Sequence, residues 1–184
     1  MTMPRYIAFL RAINVGGHTV KMGEVRMLFE SLGFANVETF IASGNVIFEA
    51  KSGDSGALAK RIEQLLHKSL SYEVATFIRT DVEVASIARY KPFSDSALKS
   101  AGALNVAFLA EPLPGEAQKA LMKLKTDIDD FHVHGREVYW LCQKKQSEST
   151  FSNTVFERAL KIQATFRGFN TVLKLAAKYP ASAN

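Results

Sequence analysis

The chain reads as an α+β protein made of two ferredoxin-like halves packed together, each of the β-α-β-β-α-β type. Three observations carry this reading. Apolar runs of strand length alternate with segments whose apolar residues recur every three to four positions. Two pairs of strand-like runs are separated only by short turns, Ala42-Ser43-Gly44 and Gly135-Arg136. The same order of elements then recurs in part in the second half of the 184 residues.

In the first half, Tyr6-Ile7-Ala8-Phe9-Leu10 is a continuous apolar run and predicts a buried strand. Val25, Leu28, Phe29 and Leu32 fall at i, i+3, i+4 and i+7 and share one helix face, with Gly33 where a helix cap is expected. Runs 37–41 and 45–49 predict a hairpin around Ser43-Gly44. Leu58, Ile62, Leu65 and Leu66 mark a second amphipathic helix, and 74–80 a fourth strand. After a short helix over 81–90 and a looser connection over 91–102, a strand over 105–109, a helix over 115–125 and a hairpin of 130–134 with 137–142 follow. Helical segments over 153–161 and 170–178 complete the chain, with Pro180 onward expected as a loose tail. These spans place an N-terminal subdomain at 1–90 and a second α+β subdomain with C-terminal helices at 103–179. We see no residue identity between the halves, so a duplication rests on topology alone.

Composition bounds the function classes. With 47% hydrophobic and 22% charged residues the chain can bury a core. A net charge of +5 favours anionic partners such as nucleic acid, nucleotides or phosphorylated metabolites, although its 23 basic and 18 acidic residues are interspersed. A single cysteine, Cys142, excludes an internal disulfide and suits a reduced, cytoplasmic setting. The first residues lack the pattern of a signal peptide, and no apolar stretch approaches the roughly 20 residues of a membrane helix. No cofactor motif is present, and His132 and His134 read as a pair on one strand face rather than as metal ligands.

Leu10-Arg11-Ala12-Ile13-Asn14-Val15-Gly16-Gly17, Lys21-Met22, Leu32-Gly33-Phe34, Asn36-Val37 and Ser43-Gly44-Asn45-Val46-Ile47-Phe48 together resemble the bacterial family catalogued as domain of unknown function 1697. Ala164-Thr165-Phe166-Arg167-Gly168-Phe169-Asn170-Thr171-Val172 resembles a second signature of that family. The resemblance implies an α+β fold with ferredoxin-like halves and brings no activity. The chain departs from the common pattern at Ala12, where Gly is usual, and at Phe166, Gly168 and Phe169, where Thr, Asn and Trp are common. Glu148-Ser149-Thr150 likewise replaces a segment that more often offers Arg-Ser-Lys.

Gly16 and Gly17 permit positive φ and close backbone approach, so their loop could form an anion-binding nest ahead of a helix, with Lys21 supplying charge. The same glycines equally serve a plain strand-to-helix turn, and the spacing matches neither dinucleotide nor P-loop motifs. Arg11 calls for an anion or a carboxylate such as Glu24 or Glu38. Ser43 lacks a nucleophile elbow and a His-acid partner, and Asn45 suits a turn-stabilising amide. Asn170 or Thr171 can cap the last helix, which leaves Arg167 unexplained. The leading expectation is a pocket for a small, phosphate-bearing anion built by both signatures: Arg11, Asn14, Gly16, Gly17, Lys21, Ser43, Asn45, Arg167, Asn170 and Lys174. The competing readings are a nucleic-acid-binding module and an enzyme whose acid or base the sequence does not identify. Oligomeric state is open.

Overall fold

The computed structural model describes residues 3–14, 16–51 and 53–182. It is an α+β fold with two four-stranded antiparallel sheets. The chain divides into two compact units, one comprising Met1–Ile87 with Lys174–Asn184 and the other Ala88–Leu173.

In the first unit the order is β1 (Arg5–Leu10), α1 (Met22–Ser31), β2 (Ala35–Phe40), β3 (Asn45–Glu49), α2 (Ser55–Leu70), β4 (Thr76–Thr80) and α3 (Asp81–Arg89), the last running across the unit boundary. The sheet order is β2-β3-β1-β4. Tyr6, Ala8, Leu10, Val46, Phe48 and Ile78 turn one sheet face towards Val25, Phe29, Leu58, Ile62 and Leu66 of the two helices. Each Val, Leu, Ile or Phe among them, fully buried, contributes roughly 1.5–3 kcal/mol relative to exposure. Ile7, Phe9 and Ile47 on the opposite face are buried too, which is why β1 reads as a continuous apolar run and not an alternating one. Asp54 caps α2 by accepting from the Ala57 amide at 3.0 Å, and Gly33 follows α1 at φ +79°.

The second unit runs through α4 (Asp95–Ser100), β5 (Ala103–Phe108), α5 (Gly115–Met122), β6 (Asp129–His134), β7 (Glu137–Cys142), a 3-10 turn (Gln146–Glu148), α6 (Asn153–Leu160) and β8 (Thr165–Gly168). Helix α7 (Phe169–Lys178) starts in this unit and crosses the boundary. The sheet order is β6-β7-β5-β8. Its core gathers Ala107, Leu121, Phe131, Val138, Trp140, Phe156 and Ala164, among others. Buried Asp129 anchors one end of it, accepting from Trp140 Nε1 at 2.8 Å, Ser149 Oγ at 2.8 Å and Thr126 Oγ1 at 2.9 Å.

Three features differ from the sequence reading. The loose connection over 91–102 contains α4, capped by Ser94, whose hydroxyl accepts from the Ala97 amide at 3.3 Å. The segment after α7 is tied down: Arg5 donates to the Pro180 carbonyl at 3.3 Å, and Ser182 donates from both its amide and its hydroxyl to Asp81. Thr165–Gly168, to which the sequence reading assigns no element, is the fourth strand of its sheet.

That fourth strand exposes an internal correspondence. Ladder register sets Ala8 between Val46 and Ile78 in one sheet and Ala107 between Val138 and Phe166 in the other. Aligned on these alanines, Ile7-Ala8-Phe9-Leu10 matches Val106-Ala107-Phe108-Leu109, and Arg79 of β4 matches Arg167 of β8. The closing hydrogen bond repeats as well, Leu10 N to Gly44 O at 2.8 Å and Leu109 N to Arg136 O at 3.0 Å. The halves therefore do share residues, but only pairing register reveals which positions to compare.

Candidate functional site

The first signature is a loop braced by a turn. Residues 11–21 join β1 to α1 with positive φ at Ala12, Gly16 and Gly17. Asn14 organises the loop: its Oδ1 accepts from the Val20 amide at 2.7 Å and its Nδ2 donates to the Ala42 carbonyl at 3.5 Å. Tyr72 donates to the Ile13 carbonyl at 2.9 Å and stacks on His18 at 3.9 Å. Lys21 is the N-cap residue of α1, exposed, and its side chain does not cap the helix. Asn14, Gly16 and Gly17 are exposed and Arg11 is half-buried; Val15 lies outside the described residues.

The second half of that signature is the β2–β3 turn. Buried Asn45 donates to Ser43 Oγ at 2.8 Å and to the Phe40 carbonyl at 2.9 Å, so its amide ties the turn together. Gly44 has φ +79°, and a Cβ there would lie 2.9 Å from Ile13 Cγ2 and 3.1 Å from Leu10 Cβ. The loop and the turn are thus brought together by Asn14, Ile13 and Gly44, through contacts that hold the backbone.

Arg167 and Asn170 belong to the second unit, whereas Arg11, Asn14, Gly16, Gly17, Lys21, Ser43, Asn45 and Lys174 belong to the first. Arg167 is 7% exposed on β8 and donates to Thr165 Oγ1 at 2.8 Å and to the Phe166 carbonyl at 2.9 Å. Burial lowers its pKa from the ordinary arginine value to about 10, still well on the protonated side at neutral pH. Arg79, its counterpart, makes the same bond to the carbonyl before it, Ile78, at 2.9 Å. Asn170 and Lys174 are exposed on α7.

Where β8 passes into α7, a cavity of about 570 Å³ opens in the second unit. Gly168, Phe169 and Asn170 line it together with Leu98, Leu104, Asn105 and Gln146, among others. The lining carries three side-chain amides and no carboxylate. Asn105 is 7% exposed, and its Nδ2 donates to Gln146 Oε1 at 3.3 Å. The first N–H groups of a helix lack intrahelical acceptors, and α7 begins at this wall. Sequence reasoning picked out Asn170 but missed Asn105 and Gln146. The signal for Asn105 was an amide inside the otherwise apolar Ala103-Leu104-Asn105-Val106-Ala107-Phe108; Gln146 offers none.

The first unit holds a cavity of about 440 Å³ near β2, whose charges are already matched. Tyr179 donates to Glu38 at 2.6 Å, Asn36 to Glu49 at 2.8 Å, and Arg26 pairs with Glu30 at 2.8 Å. An anion entering there meets three carboxylates. The Tyr179 hydrogen bond, reinforced by Lys178, holds the Glu38 carboxyl below its ordinary value.

His132 and His134 do lie on one strand face, where Tyr90 bonds His132 Nε2 at 2.7 Å and stacks on His134 at 3.9 Å. No group of three or more metal-ligating side chains occurs among the described residues. Cys142 is buried, and that burial raises its thiol pKa. No helix is long and apolar enough to cross a membrane, among the described residues.

A family model described as protein of unknown function (DUF1697) matches residues 3–139. The chain belongs to the DUF1697 family. The family match covers the Arg11–Phe48 signature and ends within β7, so Gln146 and Gly168–Asn170 of the cavity lie beyond it. A solved structure of the conserved bacterial protein SP0830 from Streptococcus pneumoniae is similar, with a TM-score of 0.72 at 20% identity. The match covers 96% of this chain and 98% of that one. At that identity the likeness establishes a shared fold. No curated protein matches the sequence.

Proposed function

We propose that this DUF1697 member binds a small anionic, phosphate-bearing ligand in the cavity at the start of α7, and that each unit is a ferredoxin-like fold. The fold reading is supported by the β-α-β-β-α-β order and by the strand orders β2-β3-β1-β4 and β6-β7-β5-β8. The functional reading is carried by one observation: a ligand-sized cavity free of carboxylates, with the opening turn of a ten-residue helix in its wall.

The chemistry follows from the lining. Orphan N–H groups and the positive end of the helix dipole favour an anion, by about 0.3–1 kcal/mol for the dipole at an exposed site. With no Asp or Glu on the walls, nothing there opposes the ligand's charge, and the net +5 of the chain adds a long-range attraction. The volume lies within the range of roughly 300–1,000 Å³ typical of small-molecule sites.

The test is thermal unfolding with inorganic phosphate and ribose 5-phosphate, on the parent chain and on Gly168→Val. A Cβ at Gly168 meets nothing within 4 Å, so valine fits the strand and intrudes on the cavity. A ligand at about 100 times its Kd stabilises by about 2.7 kcal/mol, which is roughly 5–10 °C for a chain of this size. The shift should vanish in Gly168→Val while that variant keeps its unliganded Tm. A shift that survives Gly168→Val, or none with either anion, overturns the assignment. Arg11→Ala and Lys21→Ala, measured alongside, report whether the first signature takes part.

A further inference from the structure

We infer that the cavity near β2 binds a basic α-amino acid, with its carboxylate on Arg5, its α-ammonium on Glu49 and its side-chain cation on Glu38. This site lies in the first unit and is independent of the phosphate site at α7. Strand register puts the residues concerned on one sheet face. Arg5 pairs with Glu49 and Ile47 pairs with Glu38 across neighbouring strands, and Ile47 and Glu49 are two residues apart on β3. All four line the cavity of about 440 Å³.

The protein uses these charged groups incompletely. A guanidinium has several N–H donors, and among the described residues that of Arg5 makes a single hydrogen bond, to the Pro180 carbonyl at 3.3 Å. Its ion pairs with Glu49 Oε1 and Asp81 Oδ2 are long, at 3.9 and 4.0 Å. Glu49 Oε2 accepts from Asn36 at 2.8 Å, so its Oε1 keeps only the distant guanidinium. On Glu38, Tyr179 and Lys178 both contact Oε2, at 2.6 and 3.4 Å, and Oε1 has no hydrogen bond among the described residues. One two-pronged donor and two carboxylate oxygens therefore stand ready on the cavity side of the sheet.

Their arrangement selects the ligand. A plain anion is opposed by the carboxylates of the lining, and a plain cation leaves Arg5 unmatched. An α-amino acid holds a carboxylate beside an ammonium, a neighbouring pair of charges that bridges Arg5 Nη2 and Glu49 Oε1 through two charge-assisted hydrogen bonds. Glu38 is the diagonal neighbour of Glu49 on the next strand, about 7–8 Å away on the same face, and Ile47 belongs to that step. The aliphatic stem of lysine or arginine covers apolar surface while its charged end reaches the second carboxylate. Charge agrees with this choice: Arg26 and Glu30 of the lining pair with each other, and Arg5 against Glu38 and Glu49 leaves one negative charge for a ligand of net charge +1.

The experiment is titration calorimetry on the full chain with L-lysine and L-arginine, with cadaverine and agmatine, which lack the carboxylate, and with L-norleucine, which lacks the side-chain cation. The tighter of the two amino acids should bind about tenfold or more better than its decarboxylated amine and than L-norleucine. Arg5→Gln should remove the preference over the amine without changing the binding of the amine itself. Glu38→Gln, a change at an exposed position, should lower the amino acid to the level of L-norleucine. If Arg5→Gln does not fold, Arg5→Lys, which keeps the charge and gives up the two-pronged hydrogen bond, takes its place. Absence of binding by both amino acids overturns the assignment. So does an amine that binds as tightly as its amino acid, which reduces the site to carboxylates that attract any cation, and so does parental binding in the Arg5 or the Glu38 variant.

Discussion

Gly44→Ala separates the structural glycine of the first signature from its neighbours. The residue has φ +79°, and an added Cβ would lie 2.9 Å from Ile13 Cγ2, 3.1 Å from Leu10 Cβ and 3.3 Å from the Leu10 carbonyl oxygen. Two terms add. Holding a non-glycine residue in the left-handed region costs roughly 1–2 kcal/mol, and overpacking a tight site costs typically 1–3 kcal/mol. Ile13 can turn its side chain aside, but the Leu10 backbone is fixed by the hydrogen bond its N–H donates to the Gly44 carbonyl at 2.8 Å, so the clash is not relieved cheaply. The sum is about 2–5 kcal/mol, a large share of the ~5–15 kcal/mol that usually holds a protein folded. At about 2–4 °C per kcal/mol for this length, the expected loss of Tm is roughly 4–20 °C. Gly16→Ala and Gly17→Ala are the controls, at φ +70° and +87° with nothing within 4 Å of the added atom. Only the backbone term applies, roughly 1–2 kcal/mol each. Thermal and urea unfolding of the three variants provide the comparison. If Gly44→Ala unfolds no earlier than Gly17→Ala, the packing account of the Ser43-Gly44-Asn45 turn is wrong.

Gly102→Ala should be severe, because the new Cβ would lie 2.1 Å from the Lys144 carbonyl oxygen, a backbone atom. A loss of about 3 kcal/mol in urea unfolding is expected, and a loss under 1 kcal/mol would contradict the geometry. Asp129→Ala leaves the buried Trp140 N–H and the Ser149 and Thr126 hydroxyls without their acceptor, and should cost about 2–4 kcal/mol with a change in Trp140 emission. Asp129→Asn, which keeps one carbonyl acceptor, should cost less. His132 faces Tyr90, His134, Asp130 and Tyr139, and burial is the main cause holding its pKa below the usual 6.5. Its neutral form is favoured on folding, so its stability contribution is present above pH 6.5 and is lost as the pH falls through that value towards the lower folded pKa. The decline of Tm between pH 7.5 and 5 should shrink in His132→Gln; an unchanged slope would show that other groups set it. Glu38 behaves as a depressed carboxylate, with stabilisation present above its unfolded value and lost as the pH falls through the lower folded one. In Tyr179→Phe its NMR titration midpoint should rise towards the ordinary glutamate value, and a midpoint that stays put would assign the shift to Lys178.

Much of the fold was legible because a single element's burial leaves its mark on adjacent residues. The hairpin strands over 45–49 and 137–142 were read with the bounds the structure has, since each is an apolar run closed by turn residues. Helices α1 and α2 followed from their apolar stripes, and the end of α1 from Gly33. The first-signature loop was legible as a place but not as a mechanism, because Gly16, Gly17 and Gly44 look alike in sequence and differ only in what surrounds them. Arg167, which helix capping leaves unexplained in the sequence, is a buried strand residue bonded to Thr165 and Phe166.

By itself, the sequence determined the α+β class, the order of most elements and the family, because these depend on period and on local turn chemistry. Tertiary structure alone decided the rest. Thr165–Gly168 is too short to show alternation and is a strand through its pairing with β5. The match of Val106–Leu109 to Ile7–Leu10, and of Arg167 to Arg79, needs a register between strands distant in the chain. The cavity at α7 joins residues from 98 to 170 that no local pattern links. Pairing and enclosure arise from contacts between remote segments, and a linear pattern records burial without recording the partner.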